Sequence, residues 1–179
     1  MELTAAALEF AHQAHQGQFR EGAASLPYLH HPLEAAGLLF HIGGVTDPEE
    51  ISAAILHDTI EEGGVSLAEI EERFGAKTGR LVSELTRKEP TPQEALGLSR
   101  DQLYELRTRL LLEGISRMSE AALRIKLADR LSNWREARVV RSKKKLDRYR
   151  LQTQAILAAI PRSVSPPLWD TLKAECSDA

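Results

Sequence analysis

Apolar residues recur along the chain at intervals of three and four, the spacing that places side chains on one face of an α-helix. Ile51, Ala54 and Ile55 follow this spacing, and Leu106 and Leu110 repeat it later in the chain. Few windows alternate apolar and polar residues as a half-buried strand does. The pattern predicts an all-α helical bundle, and we expect a single domain because no linker or internal repeat divides the helices.

Capping residues and helix breakers mark where the predicted helices begin and end. Asp47 before Pro48 is typical of a helix start, whereas Gly75 and Pro161 are expected stops. The predicted helices cover about 4–16, 32–42, 48–58, 67–75, 76–86, 100 to beyond 110, 119–137 and 143–160. A Gly- and Ala-rich loop is expected at 17–30 and a polar loop at 87–94. We expect Arg87 and Lys88 in the second loop to be solvated, with attraction of phosphate groups as the alternative. We assign 1–160 to the helical domain and 161–179 to a C-terminal tail with room for one short helix.

The composition is that of a globular chain with a substantial core and little charge bias. The chain has 179 residues, 42% of them hydrophobic and 27% charged, with a formal net charge of −3. This charge argues against nucleic acid or a membrane surface as a partner, and no apolar run approaches the roughly 18 residues of a membrane span. The N-terminal residues lack the features of a signal peptide, so we expect a cytoplasmic protein. The oligomeric state stays open, a homo-oligomer included.

Titratable residues concentrate in the segment HDTIEE, residues 57–62, directly after an apolar run. Adjacent helical residues point about 100° apart, so His57 and Asp58 can both reach a metal ion that lies between them. Glu61 and Glu62 follow one helical turn later, where carboxylates can exchange protons with a bound water. A helix end with solvated acids is the simpler alternative for this segment alone. Because the chain has one cysteine, a metal ion would need His, Asp or Glu ligands.

A second polar cluster lies in the segment 125–136, next to an apolar helix face. A projection at the helical period places four of its side chains on one arc: Lys126, Asp129, Arg130 and Asn133. A carboxylate between two cations and an amide can serve a metal ion and a phosphate together. A salt-bridged stripe on the surface of the protein has the same pattern and is the alternative.

The segment PYLHHP, residues 27–32, contributes two further candidate ligands. Proline restricts the backbone of the residue before it, so a histidine there is held on a stiff chain. Either His31 or His30 is therefore a candidate metal ligand. We expect surface or packing roles for the histidines that have no evident partner, which are His12, His15 and His41.

The order of these residues resembles the H…HD…D pattern of the HD-domain metal-dependent phosphohydrolases. Five segments also resemble, in the same order, the hydrolase domain of the RelA/SpoT-type alarmone enzymes, and the free-standing small alarmone hydrolases are similar in length. These segments are GQFR (17–20), PYLHHP (27–32), AAILHDTIEE (53–62), FGAKTGRLVSELT (74–86) and KLADRLSNW (126–134). The similarity covers about residues 4–160.

The resemblance implies an HD-type bundle that removes pyrophosphate from the 3′ position of guanosine tetra- or pentaphosphate, (p)ppGpp. It implies Mn²⁺, or another divalent metal, held by four ligands, which are His31, His57, Asp58 and Asp129. His31 is preferred to His30 because it occupies the histidine-proline position of the family. Glu61 and Glu62 match the catalytic acidic pair that orients the attacking water and carries protons.

The resemblance also implies residues that bind the substrate. Arg20 matches an arginine that lies against the guanine base, where a flat guanidinium stacks well. Arg130 and Asn133 match positions near the nucleotide and its phosphates. The helical projection places Lys126 on the same arc, so we expect it to contact the substrate as well. Tyr149 matches a tyrosine near the sugar or base, with an ordinary core tyrosine as the alternative.

Two positions depart from the family pattern and keep other functions open. The family often has Asp where this chain has Glu62, and a basic residue where it has Glu21; a longer segment, 22–27, follows. An acid beside a highly anionic substrate favours, as an alternative, an HD phosphohydrolase acting on another nucleotide such as NADPH or a nucleoside phosphate. A helical module that senses a nucleotide without cleaving it is a further alternative.

Overall fold

The computed structural model describes residues 2–20 and 26–177, and within these ranges the prediction of an all-α, single-domain fold is confirmed. An isolated β-bridge joins Phe19 to Pro27. The helices are α1 (Glu2–Ala14), α2 (His30–His41), α3 (Pro48–Leu56), α4 (Leu67–Leu85), α5 (Pro92–Ala95), α6 (Arg100–Ile115), α7 (Glu120–Val140), α8 (Lys143–Ala159) and α9 (Pro166–Ser177). In the described part of the chain, no helix is both long and apolar enough to cross a membrane. The expectations that concern Glu21 and residues 22–25 fall outside the described residues.

Side-chain caps begin the helices where the sequence predicted them. The Asp47 carboxylate accepts a hydrogen bond from the Glu49 N–H, and Ser99 caps α6 in the same way. Gly75 has φ of 84° and separates two helical halves within α4, as its predicted role as a stop requires. Local chemistry therefore determined these helix starts.

The core of the molecule surrounds α7. This helix packs against α2, α3, α4, α8 and α9. Its predicted apolar face is buried, and Leu127, Leu131 and Trp134 have no exposed surface. Since α7 also carries the predicted polar arc, burial of one face fixes where the other face points.

The end of α3 and the start of α2 differ from the prediction. Helix α3 ends at Leu56, and the segment 57–63 continues as turns. The Leu56 carbonyl accepts hydrogen bonds from the N–H and the hydroxyl of Thr59, so it is not paired as the next helical turn would require. Helix α2 begins at His30, so His31 already lies in its first turn.

Two helices lie where the sequence predicted less structure. Within the predicted loop 87–94, Thr91 and Glu94 form a capping box that starts the short helix α5. Helix α9 has 12 residues and buries Leu168, Leu172 and Cys176 against the core. The segment after residue 160 thus contributes a full helix to the same core.

Candidate active site

Four predicted ligands converge where α2, α7 and the turn after α3 meet. The Nε2 atom of His31 lies 3.3 Å from Nε2 of His57 and 3.2 Å from Oδ1 of Asp129. The Oδ1 atom of Asp58 lies 3.3 Å from Nε2 of His57. His31, His57 and Asp129 are buried, and 16% of the Asp58 side chain is exposed. The fold thus brings together residues that lie up to about a hundred positions apart in the sequence.

The outer nitrogen of each histidine is held by a second group. The Nδ1–H of His57 donates to the carbonyl oxygen of Ala54 at 2.8 Å. The Nδ1 atom of His31 lies 2.9 Å from the hydroxyl of Ser132, which donates to Glu34 at 2.6 Å. With both Nδ1 atoms used as donors, two Nε2 lone pairs and two carboxylates face one small volume. Ligand atoms of His31, His57 and Asp129 lie within 4.8 Å of one another, and this donor set, with Asp58 beside His57, fits a divalent cation.

The charges at this point favour a positive group. Burial lowers the pKa of His57, but the carboxylates of Asp58 and Asp129 overcome it and raise that pKa to about 9. Burial opposes ionisation of Asp129, yet the ammonium group of Lys126 and the neighbouring rings of His31 and His57 hold its pKa well below the usual range. The two acids therefore remain charged in the interior, where a cation offsets them.

The polar arc predicted on α7 surrounds Asp129. Lys126 donates to Oδ2 of Asp129 at 2.8 Å, and the amide nitrogen of Asn133 donates to Oδ1 at 2.6 Å. Lys126 and Asp129 are buried, so the arc is not a surface stripe. Lys126 and Asn133 orient the carboxylate from opposite turns of the helix.

Glu61 and Glu62 occupy different surroundings. Glu61 accepts hydrogen bonds from the backbone N–H of Arg87 at 2.6 Å and from its Nε at 2.7 Å. Glu61 lines the same cavity as His57 and Asp58, whereas Glu62 lines the adjoining outer cavity and is 45% exposed. The Arg87 side chain is 50% exposed, as expected for a solvated loop, and Glu61 anchors it as well.

Arg130 and Tyr149 form the wall between α7 and α8. Arg130 donates to Thr153, Gln152 and the carbonyl oxygen of Tyr149, and its Cζ lies 3.6 Å from the centroid of the Tyr149 ring. Tyr149 is buried and stacks on Trp134 at 6.2 Å. Both residues line the cavity, but their contacts also serve to join the two helices.

Arg20 reaches the same cleft from the position directly after Phe19, the first residue of the β-bridge. It donates to the Glu136 carboxylate through Nε and a terminal nitrogen, and to Oδ1 of Asn133 at 2.9 Å. The structure thus places Arg20 beside Asn133, and the carboxylate of Glu136 already pairs with the Arg20 guanidinium group. Glu136 lies one helical turn after Asn133, and that spacing was the signal for it in the sequence.

Tyr28 is another site residue that the sequence reasoning missed. Its hydroxyl donates to Oδ2 of Asp58 at 2.7 Å. Burial and the charge of Asp58 raise the pKa of Tyr28, so the phenol keeps its proton. Its position three residues before His31, within PYLHHP, was the available signal.

Two adjoining cavities form one cleft above the four ligands. The inner cavity has a volume of about 310 Å³ and the outer one of about 1170 Å³. Both are bordered by Arg20, Tyr28, Tyr104, Asn133, Arg141 and Tyr149. Cations along the combined wall include Arg87, Lys88, Arg107, Lys126, Lys145 and Arg148. The cleft therefore suits a polyanionic ligand.

Known proteins are similar in sequence to this chain. Residues 7–162 match the family described as HD domain. Guanosine-3′,5′-bis(diphosphate) 3′-pyrophosphohydrolase MESH1 of Homo sapiens is 37% identical over 130 residues, which are 73% of this chain and 66% of that protein. GTP pyrophosphokinase rsh of Brucella melitensis is 37% identical over 139 residues, 76% of this chain and 17% of that protein. The chain thus spans slightly less than two thirds of the human relative.

Two solved structures share the fold. A protein described as a metazoan ortholog of SpoT that hydrolyzes ppGpp superposes with a TM-score of 0.86 at 25% identity, over 99% of this chain and 96% of that one. A protein of Listeria monocytogenes EGD-e superposes with a TM-score of 0.64 at 23% identity, over 84% of this chain and 96% of that one. The second likeness concerns the fold alone.

Proposed function

The chain belongs to the HD domain family, and we propose that it hydrolyses the 3′-pyrophosphate of guanosine tetra- or pentaphosphate in the presence of a divalent cation. The products are GDP or GTP, and pyrophosphate. The convergence of two histidines and two aspartates at the inner end of a cation-lined cleft carries the proposal. The activity named for the human and mouse relatives supports the same reaction.

The four converging side chains would hold the cation. Imidazole nitrogens with carboxylate oxygens suit Mn²⁺, Fe²⁺ or Zn²⁺, and the resemblance to the alarmone hydrolases favours Mn²⁺. When bound, such a cation supplies positive charge that favours hydroxide over water at neutral pH and offsets the charge of a phosphoryl oxygen. Ser132 and the Ala54 carbonyl keep both histidines in the tautomer that leaves Nε2 free for it.

We assign Glu61 as the general base that accepts a proton from the attacking water. It lies on the wall of the inner cavity, and Arg87 fixes its carboxylate there. The water attacks the phosphorus bonded to the 3′ oxygen, and the bond between that oxygen and phosphorus breaks. The 3′ oxygen leaves with the guanosine product and takes up a proton, and the attacking oxygen is released in pyrophosphate. Glu62, which is partly exposed, completes the acidic pair and passes protons towards solvent.

The outer cavity would hold the nucleoside. Arg20 lies with its guanidinium fixed by Glu136, so its plane is available to stack on a base. Asn133 borders both cavities and presents an amide between base and phosphates. Lys126, Arg130 and Tyr149 line the inner cavity, where their charges and the tyrosine ring meet the ribose and its 3′ substituent.

Turnover of a nucleotide panel tests this function. The metal-stripped protein is supplied with Mn²⁺ and then with guanosine tetraphosphate, NADPH or a nucleoside triphosphate, and the products are separated by ion-exchange chromatography. We expect GDP and pyrophosphate from guanosine tetraphosphate, at a higher kcat/KM than for any other member of the panel. Phosphate release from NADPH alone would instead support a different nucleotide substrate.

A matched pair of variants separates this activity from contaminants. Asp58→Asn removes a ligand, whereas Asp147→Asn makes the same change at an exposed residue paired with Arg150. Activity should disappear in the first variant and persist in the second. Equal activity in both variants would contradict the assignment of the site.

A further inference from the structure

Tyr28 connects the two halves of the cleft. Its hydroxyl donates to Oδ2 of Asp58 at 2.7 Å, at the inner end. Its ring stacks on the ring of His15 at 4.6 Å, and the guanidinium carbon of Arg20 lies 5.4 Å from the ring centroid. A single aromatic side chain therefore touches a proposed metal ligand and a proposed base-binding residue.

The surrounding chain holds the Tyr28 ring in place. The Tyr28 N–H donates to the carbonyl oxygen of Gln18 at 3.0 Å, beside the bridge formed by Phe19. The side chain of Gln18 accepts from Nδ1 of the buried His15 at 2.8 Å and donates to the carbonyl oxygen of Glu62 at 2.7 Å. The phenol ring is thus fixed to the same turn that carries Asp58, and its hydroxyl has a defined position.

Asp58 is the proposed ligand that most needs such support. His31 and Asp129 lie on helices, whereas Asp58 follows the end of α3 and retains 16% of its side-chain surface. Asp129 is held by Lys126 and Asn133. Among the described residues, Tyr28 is the one that donates a hydrogen bond to the Asp58 carboxylate.

We propose that Tyr28 is a positioning residue for Asp58. The Tyr28 hydroxyl fixes the Asp58 carboxylate in the orientation that binds a divalent cation. The bond to Oδ2 sets the carboxylate plane, with Oδ1 3.3 Å from Nε2 of His57. Without it the carboxylate can rotate towards solvent, and the cation loses a pre-arranged ligand. The inference rests on the divalent cation of the proposed function and is independent of which nucleotide is cleaved.

Titration of Mn²⁺ into metal-stripped protein tests this inference in the absence of nucleotide. Tyr28→Phe keeps the ring and its stacking but removes the hydroxyl. We expect the Kd for Mn²⁺ to rise about tenfold, as for other groups that orient metal ligands. At a Mn²⁺ concentration that saturates the variant, kcat should return to the wild-type value, a rescue that a general loss of structure would not allow.

Tyr104→Phe is the matched control. The Tyr104 hydroxyl also borders the cleft but donates to the carbonyl oxygen of Arg148 at 3.0 Å. Its loss should leave the Kd for Mn²⁺ unchanged. A Kd for Tyr28→Phe within twofold of wild type would overturn the inference, and so would an equal change in both variants.

A double-mutant cycle shows whether the hydroxyl acts through Asp58. Tyr28→Phe is combined with Asp58→Asn, and the Kd for Mn²⁺ is measured for each single variant and for the pair. We expect Tyr28→Phe to add nothing once Asp58 is changed, because the two groups act as a unit. Additive effects of the two changes would assign Tyr28 a separate role and contradict the proposal.

Discussion

The inner and outer parts of the cleft are built in different ways. At the inner end, His31, His57 and Asp129 are buried and each has a further hydrogen-bond partner within the core. At the outer end, Arg20 and Glu136 meet from opposite parts of the chain beside an open cavity. The core therefore fixes the proposed metal ligands, while an ion pair beside an open cavity forms the wall that we propose for the nucleoside. Changes at the two ends should consequently affect different kinetic constants.

Asp58→Asn should have the largest effect, because it alters the inner end. An amide is neutral, and it can direct an N–H group at Tyr28 or His57 where an oxygen is needed. We expect Mn²⁺ affinity to fall by more than about 100-fold, beyond the range seen for outer partners of metal ligands. Calorimetric titration measures this loss, and retained affinity with normal turnover would remove Asp58 from the ligand set.

Glu61→Gln should slow turnover while leaving the cation in place. Its carboxylate binds Arg87, and glutamine keeps the shape but cannot accept the proton. We expect kcat to fall by about 100-fold or more, the usual contribution of a general base. The Kd for Mn²⁺ should stay at the wild-type value. An unchanged kcat would show that another group takes the proton.

Glu136→Gln should affect the outer end alone. It removes the charge that holds the guanidinium of Arg20. We expect KM for guanosine tetraphosphate to rise about tenfold, equivalent to ~1.4 kcal/mol and near the worth of a charge-assisted hydrogen bond, with kcat preserved.

Glu175→Gln is the matched control for that change, because Glu175 pairs with Arg135 away from the cleft. Its KM should equal that of the wild type. A fall in kcat for Glu136→Gln, with no change in KM, would break the proposed separation between the two ends.

Glu21→Lys should have the smallest effect. Glu21 follows Arg20 in the sequence, at a position where the alarmone hydrolases usually have a basic residue. A lysine there should raise kcat/KM for guanosine tetraphosphate about threefold through attraction of the phosphates, and the gain should shrink with added salt. An unchanged kcat/KM at low salt would mean that this position does not face the substrate.

Much of the inner end was predictable because helical spacing determines which side chains of α7 lie together. The arc of Lys126, Asp129 and Asn133 follows directly from the helical period of α7, and burial of Leu127 and Leu131 fixed its direction. The starts of α3 and α6 followed from their capping residues. These features depend on short stretches of sequence, and local chemistry suffices for them.

The contacts between distant segments were not predictable in this way. Periodicity says nothing about the approach of Arg87 to Glu61, or of Arg20 to Glu136, since each pair meets only after the helices pack. The end of α3 was missed for a local reason, because Thr59 takes the Leu56 carbonyl. Helix α9 lacked a strong pattern, and its burial depends on α7 and α8.

Hydrolysis in water enriched in oxygen-18 is the most direct test of the proposed reaction. The protein is supplied with Mn²⁺ and guanosine tetraphosphate, and the masses of both products are measured by mass spectrometry. Attack on the phosphorus bonded to the 3′ oxygen predicts unlabelled GDP and pyrophosphate that carries the label. Label in GDP, or release of orthophosphate in place of pyrophosphate, would contradict the proposed reaction.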